Sequence, residues 1–302
     1  MTAPPPRIYL PATAWHSAFA LVPAGPFIYG PELVYERLEG TRSLRPRQTL
    51  NLGTFALAIY PVTVAQWQRF AGETGYRWPG TWYHLVRPPR GWLRRFAPCR
   101  DYPPAMADYP MADVTQTDAL AYAAWLSDKI GQVCSLPSEE EWEKAARGHD
   151  GRTYPWGEEH PRPELAHLGN WVKLRYYAYN LFIKPEREWA RSGWYFRCGS
   201  PLPVGAIPQN VSPYGCYDMA GNVWEWTRSV FYEVLDCRYG YIADMLTELR
   251  ASEMLVLRGG TWNEALQDIC STRRLPLTPD RRERTIGFRV ACYHPEALTA
   301  LR

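Results

Sequence analysis

The segment at residues 218–226 holds the densest group of side chains that could do chemistry. Two carboxylates, Asp218 and Glu225, and the amide of Asn222 lie within eight residues, and Gly221 allows the backbone to turn tightly between them. Oxygen ligands from side chains and backbone in such a loop suit Ca²⁺. The same pattern is typical of a turn held by Asx hydrogen bonds, with the neighbouring tryptophans in the core. The spacing alone leaves the calcium site and the structural turn as alternatives.

The common sequence signatures of catalysis are absent. The chain contains no Gly-x-x-x-x-Gly-Lys-Ser/Thr phosphate loop, no Gly-x-Gly-x-x-Gly, no His-Glu-x-x-His, no Cys-x-x-Cys and no Gly-x-Ser-x-Gly. Its six histidines are scattered, without the spacing at which a helix would present two ligands, so we interpret them as structural or surface residues. Because these motifs are absent, the sequence gives no motif-based candidate for a nucleophile or a transition-metal site.

An arginine-rich stretch at residues 87–100 surrounds Trp92 and Phe96. Basic and aromatic residues interleaved in this way can hold single-stranded nucleic acid by charge and stacking. They can equally form a solvated loop whose arginine stems cover apolar surface. The net charge of the chain is only +3, which favours the solvated loop, and nucleic acid is therefore not the expected partner.

Composition bounds the class of protein. A chain of 302 residues with 46% hydrophobic and 22% charged residues is typical of a folded globular protein. No run approaches the roughly 18 consecutive apolar residues of a membrane span, and the first residues lack the basic region of a secretory signal. We therefore expect a cytoplasmic location, and we expect the seven cysteines to be free thiols in a reducing compartment.

Three helices are predicted, each from a capping residue followed three positions later by a polar partner. The pairs are Thr63 with Gln66, Thr115 with Asp118, and Ser138 with Glu141. Glycines at 72 or 75, at 131 and at 148 would end these helices. Short β-like runs are predicted at 19–30, 50–59, 255–258 and 286–292. Few helices among many short strands, without alternating βαβ units, indicate the α+β class.

Seven blocks of sequence resemble the formylglycine-generating-enzyme-like (sulfatase-modifying-factor) family. They are residues 20–27, 60–64, 135–148, 154–157, 212–226, 258–262 and 286–290. The blocks follow one another in the order of the family, and the resemblance covers nearly the whole chain. It implies a single domain over residues 1–302 with a C-type-lectin-like fold, few helices, many short strands and long loops, and insertions near 81–110 and 161–200.

The resemblance implies a structural Ca²⁺ site in the 218–226 turn. Family members bind Ca²⁺ in the loop that matches Asp218, Gly221, Val223 and Glu225, where the Gly and Val positions act through backbone carbonyls. A second family calcium site would match the region near Asn170, where the insertion interrupts the alignment.

Enzyme members of the family oxidise a substrate cysteine to formylglycine with copper(I) held by two cysteine thiolates. In this sequence the corresponding stretch offers Cys270 alone, and Glu264 and Ile269 lie near the two thiol positions. One thiolate cannot make a two-coordinate sulfur site, so we expect no catalytic residues of this type and no copper. A cysteine recruited from an insertion, such as Cys198, could supply a second thiol, although no feature of the sequence points to it. Ergothioneine-type sulfoxide synthases share the domain and add an iron-binding histidine motif, which this sequence does not contain.

The variable proteins of diversity-generating retroelements resemble this family in fold and are non-catalytic. In them, fixed motifs frame a hypervariable segment near the C-terminus, which displays residues for ligand binding. Here residues 258–289 would be that segment. The candidate ligand-binding residues are Trp262, Asn263, Leu266, Asp268, Arg273, Leu275, Leu277, Arg282 and Arg284. The plain alternative is a polar loop that covers the core.

The sequence therefore predicts a binding protein that presents a diversified C-terminal surface to a ligand, which we expect to be a protein. Two other functions are consistent with the same resemblance. One is an oxidoreductase of the same family, acting on a protein cysteine through a copper or other oxidative site. The other is an accessory or regulatory domain that binds a partner protein. The sequence does not indicate an oligomeric state.

Overall fold

A computed structural model of the chain describes residues 7, 9–10, 18–31, 47–78, 80, 82–86, 95–99, 104–167, 201–231, 254–262 and 269–293. Residues 9–10, 82–86 and 95–99 are described by their backbone. Most of the arginine-rich stretch at 87–100 and of the predicted insertion at 161–200 lies outside these ranges.

Three α-helices occur in the described residues. They are Val64–Thr74 (α1), Gln116–Ile130 (α2) and Glu139–Arg147 (α3). Each begins with the predicted capping box, in which the hydroxyl of the capping residue accepts from the third backbone N–H of the helix and the third side chain accepts from the cap. Gly75 and Gly131 follow α1 and α2 in the left-handed conformation, with φ of 69° and 64°. All three predicted helices are confirmed, and α1 ends at Gly75 rather than Gly72.

Thirteen short strands and one 3₁₀ turn at Pro104–Met106 complete the described elements. The strands are Tyr9–Leu10 (β1), Phe19–Val22 (β2), Gly25–Tyr29 (β3), Gln48–Leu52 (β4), Phe55–Ala58 (β5), Trp82–Val86 (β6), Arg95–Cys99 (β7), Cys134–Ser135 (β8), Trp224–Val230 (β9), Leu255–Arg258 (β10), Arg274–Leu277 (β11), Ile286–Gly287 (β12) and Ala291–Tyr293 (β13). Three helices among this many short strands confirm the α+β class.

The strands form two main sheets. A five-stranded sheet has the order β1-β2-β5-β13-β8, and a four-stranded sheet has the order β11-β10-β9-β12. The β3–β4 and β6–β7 pairs are separate antiparallel hairpins. The single strand predicted at 50–59 is therefore wrong. The run breaks at Gly53 and Thr54, where the Thr54 hydroxyl accepts from the Ala24 N–H at 3.1 Å, so that β4 pairs in the hairpin and β5 lies buried in the five-stranded sheet.

An aromatic cluster forms the larger core between α1, α2 and the C-terminal strands. Trp67 stacks on Tyr122 at a centroid distance of 6.2 Å, and Tyr122 meets the edge of Phe288 at 5.4 Å. Phe70 and Trp125 extend this cluster. Each of these large buried side chains stabilises the fold by about 1.5–3 kcal/mol. The cluster fixes α1 and α2 against the chain between β12 and β13.

Helix α3 packs against both main sheets, and its position sets that of the candidate site. Its apolar face, Trp142, Ala145 and Ala146, lies in a second core cluster with Val22 and Leu57. Its charged face is buried as well, and the Lys144 ammonium donates to the carbonyls of Pro23 and Gly25 at 2.7 and 3.0 Å. A charged helix face can be buried in this way because each charged group has a polar partner.

Among the described residues, one disulfide joins the last two strands of the five-stranded sheet. Cys134 of β8 and Cys292 of β13 are register partners and their sulfurs are bonded. The expectation that all seven cysteines are free thiols is therefore wrong for this pair, because an antiparallel register places the two side chains opposite one another. Cys216 and Cys270 are free thiols, the first buried and the second partly exposed.

No helix in the part of the chain that the structure describes has the length and apolarity needed to cross a membrane.

Candidate functional site

The turn before β9 has a backbone that few residue types can adopt. Asp218, Gly221 and Asn222 all have positive φ, at 58°, 85° and 68°. A Cβ at Gly221 would also lie 3.1 Å from the carbonyl oxygen of His167. Glycine is required there for both reasons, and Asp and Asn are the non-glycine residues that tolerate the left-handed region best.

Asn222 joins this turn to two other segments. Its side-chain amide accepts from the Leu202 N–H at 3.0 Å and donates to the Leu202 carbonyl at 3.3 Å. Its own carbonyl accepts from the Thr261 hydroxyl at 3.1 Å and from the Trp262 N–H at 3.2 Å. The turn thereby positions the start of the 258–289 segment. Asn222 thus has the role of the Asx-type turn that was the alternative to an oxygen ligand, and the left-handed preference of a Gly-Asn pair is the sequence signal for it.

Glu225 is fully buried and held by three donors. Arg289 donates to its two carboxylate oxygens at 2.6 and 2.7 Å, and the Trp142 indole N–H donates at 2.7 Å. Arg289 also donates to the carbonyls of Ala58 and Tyr217, at 3.1 and 2.8 Å. The arrangement connects β9, α3 and the chain just before β13.

Asp218 is a second buried carboxylate beside this pair. Burial is the main cause that raises its pKa to about 6, and the charge of Glu225 raises the pKa further. Two groups lower the pKa: the Gly205 N–H, which donates to Asp218 at 2.7 Å, and the charge of Arg289. Two carboxylates thus share one nearby guanidinium. The buried cluster has an excess of negative charge when Asp218 is ionised.

The chemistry of this donor set fits a hard cation such as Ca²⁺. Asn210 lies against the turn, since its carbonyl accepts from the Asp218 N–H and its amide donates to the Ala220 carbonyl at 2.7 Å. Its side-chain oxygen is buried and has no hydrogen-bond partner among the described residues. Glu225 uses three of the roughly four acceptor positions of a carboxylate. The predicted ligands Asp218, Gly221 and Val223 lie in this turn and Glu225 lies in β9 directly after it, and calcium binding there stays a prediction.

Among the described residues, no group of three or more His, Cys, Asp or Glu side chains could hold a metal ion. A cation in this turn would therefore depend on backbone and amide oxygens in addition to the two carboxylates, which is the donor chemistry of calcium. The region near Asn170, which would match the second calcium site of the family, lies outside the described residues.

Arg258 anchors the first end of the 258–289 segment. Its guanidinium is fully buried, forms an ion pair with Glu143 of α3, and donates to the carbonyls of Ser271, Thr272 and Arg273 at 3.1, 2.9 and 3.1 Å. The chain thus leaves the sheet after Arg258 and returns to the same side chain. An arginine at the end of an apolar strand was the signal for this role, because a buried guanidinium needs a buried partner.

The structure distributes the candidate ligand-binding residues over several environments. Asn263, Leu266 and Asp268 lie outside the described residues. Trp262 follows the Asn222 turn, and its buried indole N–H has no hydrogen-bond partner in the described part of the chain. Arg273 is partly buried, just before β11.

The other four candidates lie on β11 and the loop after it. Leu275 and Leu277 pack against the larger core cluster. Arg282 donates to the Asp118 carboxylate at 2.8 Å, whereas Arg284 is exposed. Three of these residues therefore have packing or anchoring roles, and their part in binding stays a prediction.

The stretch that matches the family's paired thiols has a buried apolar residue. Ile269 is 1% exposed and packs with Ala166 and Trp156. Its neighbour Cys270 is partly exposed, and its sulfur lies 3.5 Å from the Thr272 hydroxyl. The other free thiol with a described side chain, Cys216, lies in the core cluster around Trp142, where burial raises its pKa to about 11.

Comparison with known proteins gives matches over most of the chain. A family model described as "Sulfatase-modifying factor enzyme 1-like domain" matches residues 11–293. Hercynine oxygenase of Mycolicibacterium smegmatis is 32% identical over 295 residues, which cover 90% of this chain and 60% of that protein. Inactive C-alpha-formylglycine-generating enzyme 2 of Mus musculus is 28% identical over 317 residues, covering 95% of this chain and 89% of the relative. The chain thus spans about 60% of the length of the hercynine oxygenase.

Two solved structures share the fold. PvdO from Pseudomonas aeruginosa superposes with a TM-score of 0.64 at 24% identity, covering 96% of this chain and 99% of that one. Treponema denticola variable protein 1 superposes with a TM-score of 0.57 at 18% identity, covering 93% and 97%. At these identities the likeness concerns the fold alone, and it confirms the expected α+β, C-type-lectin-like architecture.

Proposed function

The chain belongs to the sulfatase-modifying factor enzyme 1-like domain family, and from this premise we propose that it is a non-catalytic binding protein. Its ligand would contact the surface formed by residues 258–289. The family includes proteins named as oxygenases and formylglycine-generating enzymes and others named as inactive. Membership therefore leaves both an active and an inactive chain open, and the residues of the site must decide between them.

The observation that carries the proposal is the environment of Ile269. A copper(I) site of the family type needs two thiolates close together, and soft sulfur ligands cannot be replaced by an aliphatic side chain. Ile269, near one thiol position, is buried against Ala166 and Trp156. Cys270 beside it is a free thiol with no sulfur partner among the described residues; Cys198 lies outside them. We therefore expect no copper centre at this position.

The way the segment is anchored supports a presenting role. Arg258 and Arg289 lie at its two ends, and each is fully buried in an ion pair with a glutamate of the scaffold. Because the anchors belong to the frame, exposed residues between them such as Arg284 can change at a small cost to the fold, whereas Ile269, Leu275 and Leu277 pack in core clusters. We further propose that this segment is diversified, as in the variable proteins of diversity-generating retroelements. The proposed ligand is a protein.

A structural Ca²⁺ ion and a cytoplasmic location are also parts of the proposal. Asp218, Glu225 and the carbonyls of Gly221 and Val223 would hold the ion, which would supply positive charge to the buried carboxylates. The raised pKa of Asp218, caused chiefly by burial, supports a need for that charge. A reducing cytoplasm would favour the two thiols of Cys134 and Cys292 over the disulfide between them.

An oxidoreductase that acts on a protein cysteine is the second candidate. Relatives named hercynine oxygenase and formylglycine-generating enzyme, 32% and 30% identical to this chain over 295 and 224 residues, favour an oxidative activity. Such an enzyme would need an oxidative site built from residues other than a thiol pair at 269–270.

One assay separates the two candidates. The full chain is titrated with copper(I) and incubated in air with a cysteine-containing sulfatase-type peptide, and the peptide is then probed with a hydrazide for aldehyde. We expect no tight copper complex and no aldehyde. Turnover would overturn the binding proposal.

A second, independent observation tests diversification. The DNA around the gene should encode a reverse transcriptase and hold a near-copy of the segment that encodes residues 258–289. If both are missing, the segment is not diversified by this route.

A further inference from the structure

The disulfide between Cys134 and Cys292 has no role in the proposed binding function. Both residues are buried, at 7% and 0% exposure, and both belong to the larger core cluster. They are register partners in the antiparallel pairing of β8 with β13. A reagent must therefore reach this bond through an opening of the sheet edge.

The bond closes a covalent loop that contains most of the candidate site. The two cysteines are 158 residues apart, and the chain between them includes α3, the 218–225 turn and the 258–289 segment. Helices α1 and α2 precede Cys134 and lie outside the loop. Cross-links that close long loops restrict the unfolded chain most.

The bond joins β13 to a short strand at the edge of the five-stranded sheet. Strand β8 has two residues and lies at the end of the five-stranded sheet. Beside the bond, the Tyr293 N–H donates to the Val133 carbonyl at 2.9 Å, and the Ser127 hydroxyl accepts from the Cys134 N–H at 2.9 Å. Val133 itself is 63% exposed. So short an edge strand adds few ladder hydrogen bonds. The covalent link adds to the pairing of β8 with β13 and to the hydrogen bond that the Tyr293 hydroxyl donates to Glu141 at 2.9 Å.

We propose that Cys134 and Cys292 form a redox-sensitive lock on the C-terminal strand. In the closed state the disulfide holds β13 to β8; in the open state the two thiols leave β13 attached through β5, the short ladder with β8 and the Arg289 anchor. Closing converts two thiols to one disulfide, and the two hydrogens pass to a small-molecule disulfide such as oxidised glutathione, which becomes two glutathione thiols. The proposal is independent of whether residues 258–289 bind a ligand.

The experiment equilibrates the full chain in buffers of graded ratios of reduced to oxidised glutathione. Free thiols are trapped with an alkylating agent, and the peptides are assigned by mass spectrometry. We expect the Cys134 and Cys292 peptides to be linked at the oxidising end and separately alkylated at the reducing end. Cys270 should never enter that linked peptide. Alkylation of both cysteines at every ratio would overturn the proposal.

Hydrogen exchange tests the consequence for the strand. On reduction, the Tyr293 amide should exchange about tenfold faster or more, because a cross-link no longer limits local opening. The Trp67 amide of α1, which donates to the Thr63 carbonyl outside the loop, should change far less. Equal changes at the two amides would contradict a local lock.

A double variant, Cys134→Ser with Cys292→Ser, removes the lock, and Cys270→Ser is the matched control. Exchange at Tyr293 should be insensitive to the glutathione ratio in the double variant and remain sensitive in the control. If the double variant does not fold, the wild-type comparison of the two redox states still decides the question.

Discussion

Arg289 donates two hydrogen bonds to the carboxylate of Glu225, at 2.6 and 2.7 Å, and neither side chain is exposed to solvent. The two residues are 64 positions apart and belong to two different sequence motifs. Their pairing places the end of the 258–289 segment against the turn that carries the predicted calcium ligands. The frame of the candidate surface and the calcium turn are therefore one structural unit.

Replacing Glu225 by Gln should destabilise the fold by about 3–5 kcal/mol, because Arg289 would be left as a buried charge without a counter-ion. The measurement is the free energy of unfolding from denaturant titration. Glu283→Gln is the matched control, since Glu283 pairs with Arg281 at the surface, where the two side chains are 39% and 57% exposed. That control should change stability by about 1 kcal/mol or less. Equal losses in the two variants would show that burial does not increase the contribution of the Arg289–Glu225 pair to the free energy of unfolding.

These anchors show how far the sequence could predict the molecule. The capping residues Thr63, Thr115 and Ser138 act through neighbours three positions away, so the three helices could be located from local pattern alone. The family blocks likewise gave the fold. The partners of Glu225 and Arg258 are set by tertiary packing between distant segments, and one sequence holds no direct signal for such pairs.

Two errors have the same origin. The register that opposes Cys134 to Cys292, and the break between β4 and β5 at Gly53, both follow from which strands become neighbours in a sheet. Local periodicity indicates that a strand exists but not which strand it pairs with.

Stability should depend on pH through Asp218. Its pKa in the folded chain is about 6, above the ordinary value of 3.8, chiefly because of burial. Between these pH values the folded state binds more protons than the unfolded state, so this group lowers the free energy of unfolding as pH rises from about 4 to about 6. The loss is about 3 kcal/mol in total and stays constant at higher pH.

Asp218→Asn provides the comparison, because the amide oxygen can still accept from the Gly205 N–H and does not ionise. The free energy of unfolding, measured from pH 4 to 8 with a calcium chelator present, should fall less steeply in the variant than in the wild type. Parallel pH profiles would mean that Asp218 is not the group responsible.

Calcium should raise the unfolding temperature of the wild-type chain at pH 7.5. A ligand that binds only the folded state stabilises it by about 2.7 kcal/mol at a hundredfold excess over its dissociation constant. Asp218→Asn should reduce this rise in unfolding temperature because it removes a charged oxygen ligand. The same concentration of magnesium should raise the unfolding temperature less, because Mg²⁺ requires a stricter octahedral geometry. Identical melting curves with calcium and with chelator would remove the calcium site from the proposal.

Arg258 should be more sensitive to a conservative change than an exposed arginine. Its guanidinium reaches Glu143 and three successive carbonyls, of Ser271, Thr272 and Arg273. Lysine keeps the charge but loses the planar fork of donors, so Arg258→Lys should cost about 2–4 kcal/mol of unfolding free energy by leaving buried acceptors unpaired. Amide exchange in residues 269–274 should accelerate more than that in α1, because the return of the segment is released locally. The control is Arg281→Lys, at a side chain that is 57% exposed. Its free energy of unfolding should stay within about 0.5 kcal/mol of the wild type, and its amide exchange in residues 269–274 should be unchanged. If both variants behave alike, the segment is held by contacts other than Arg258.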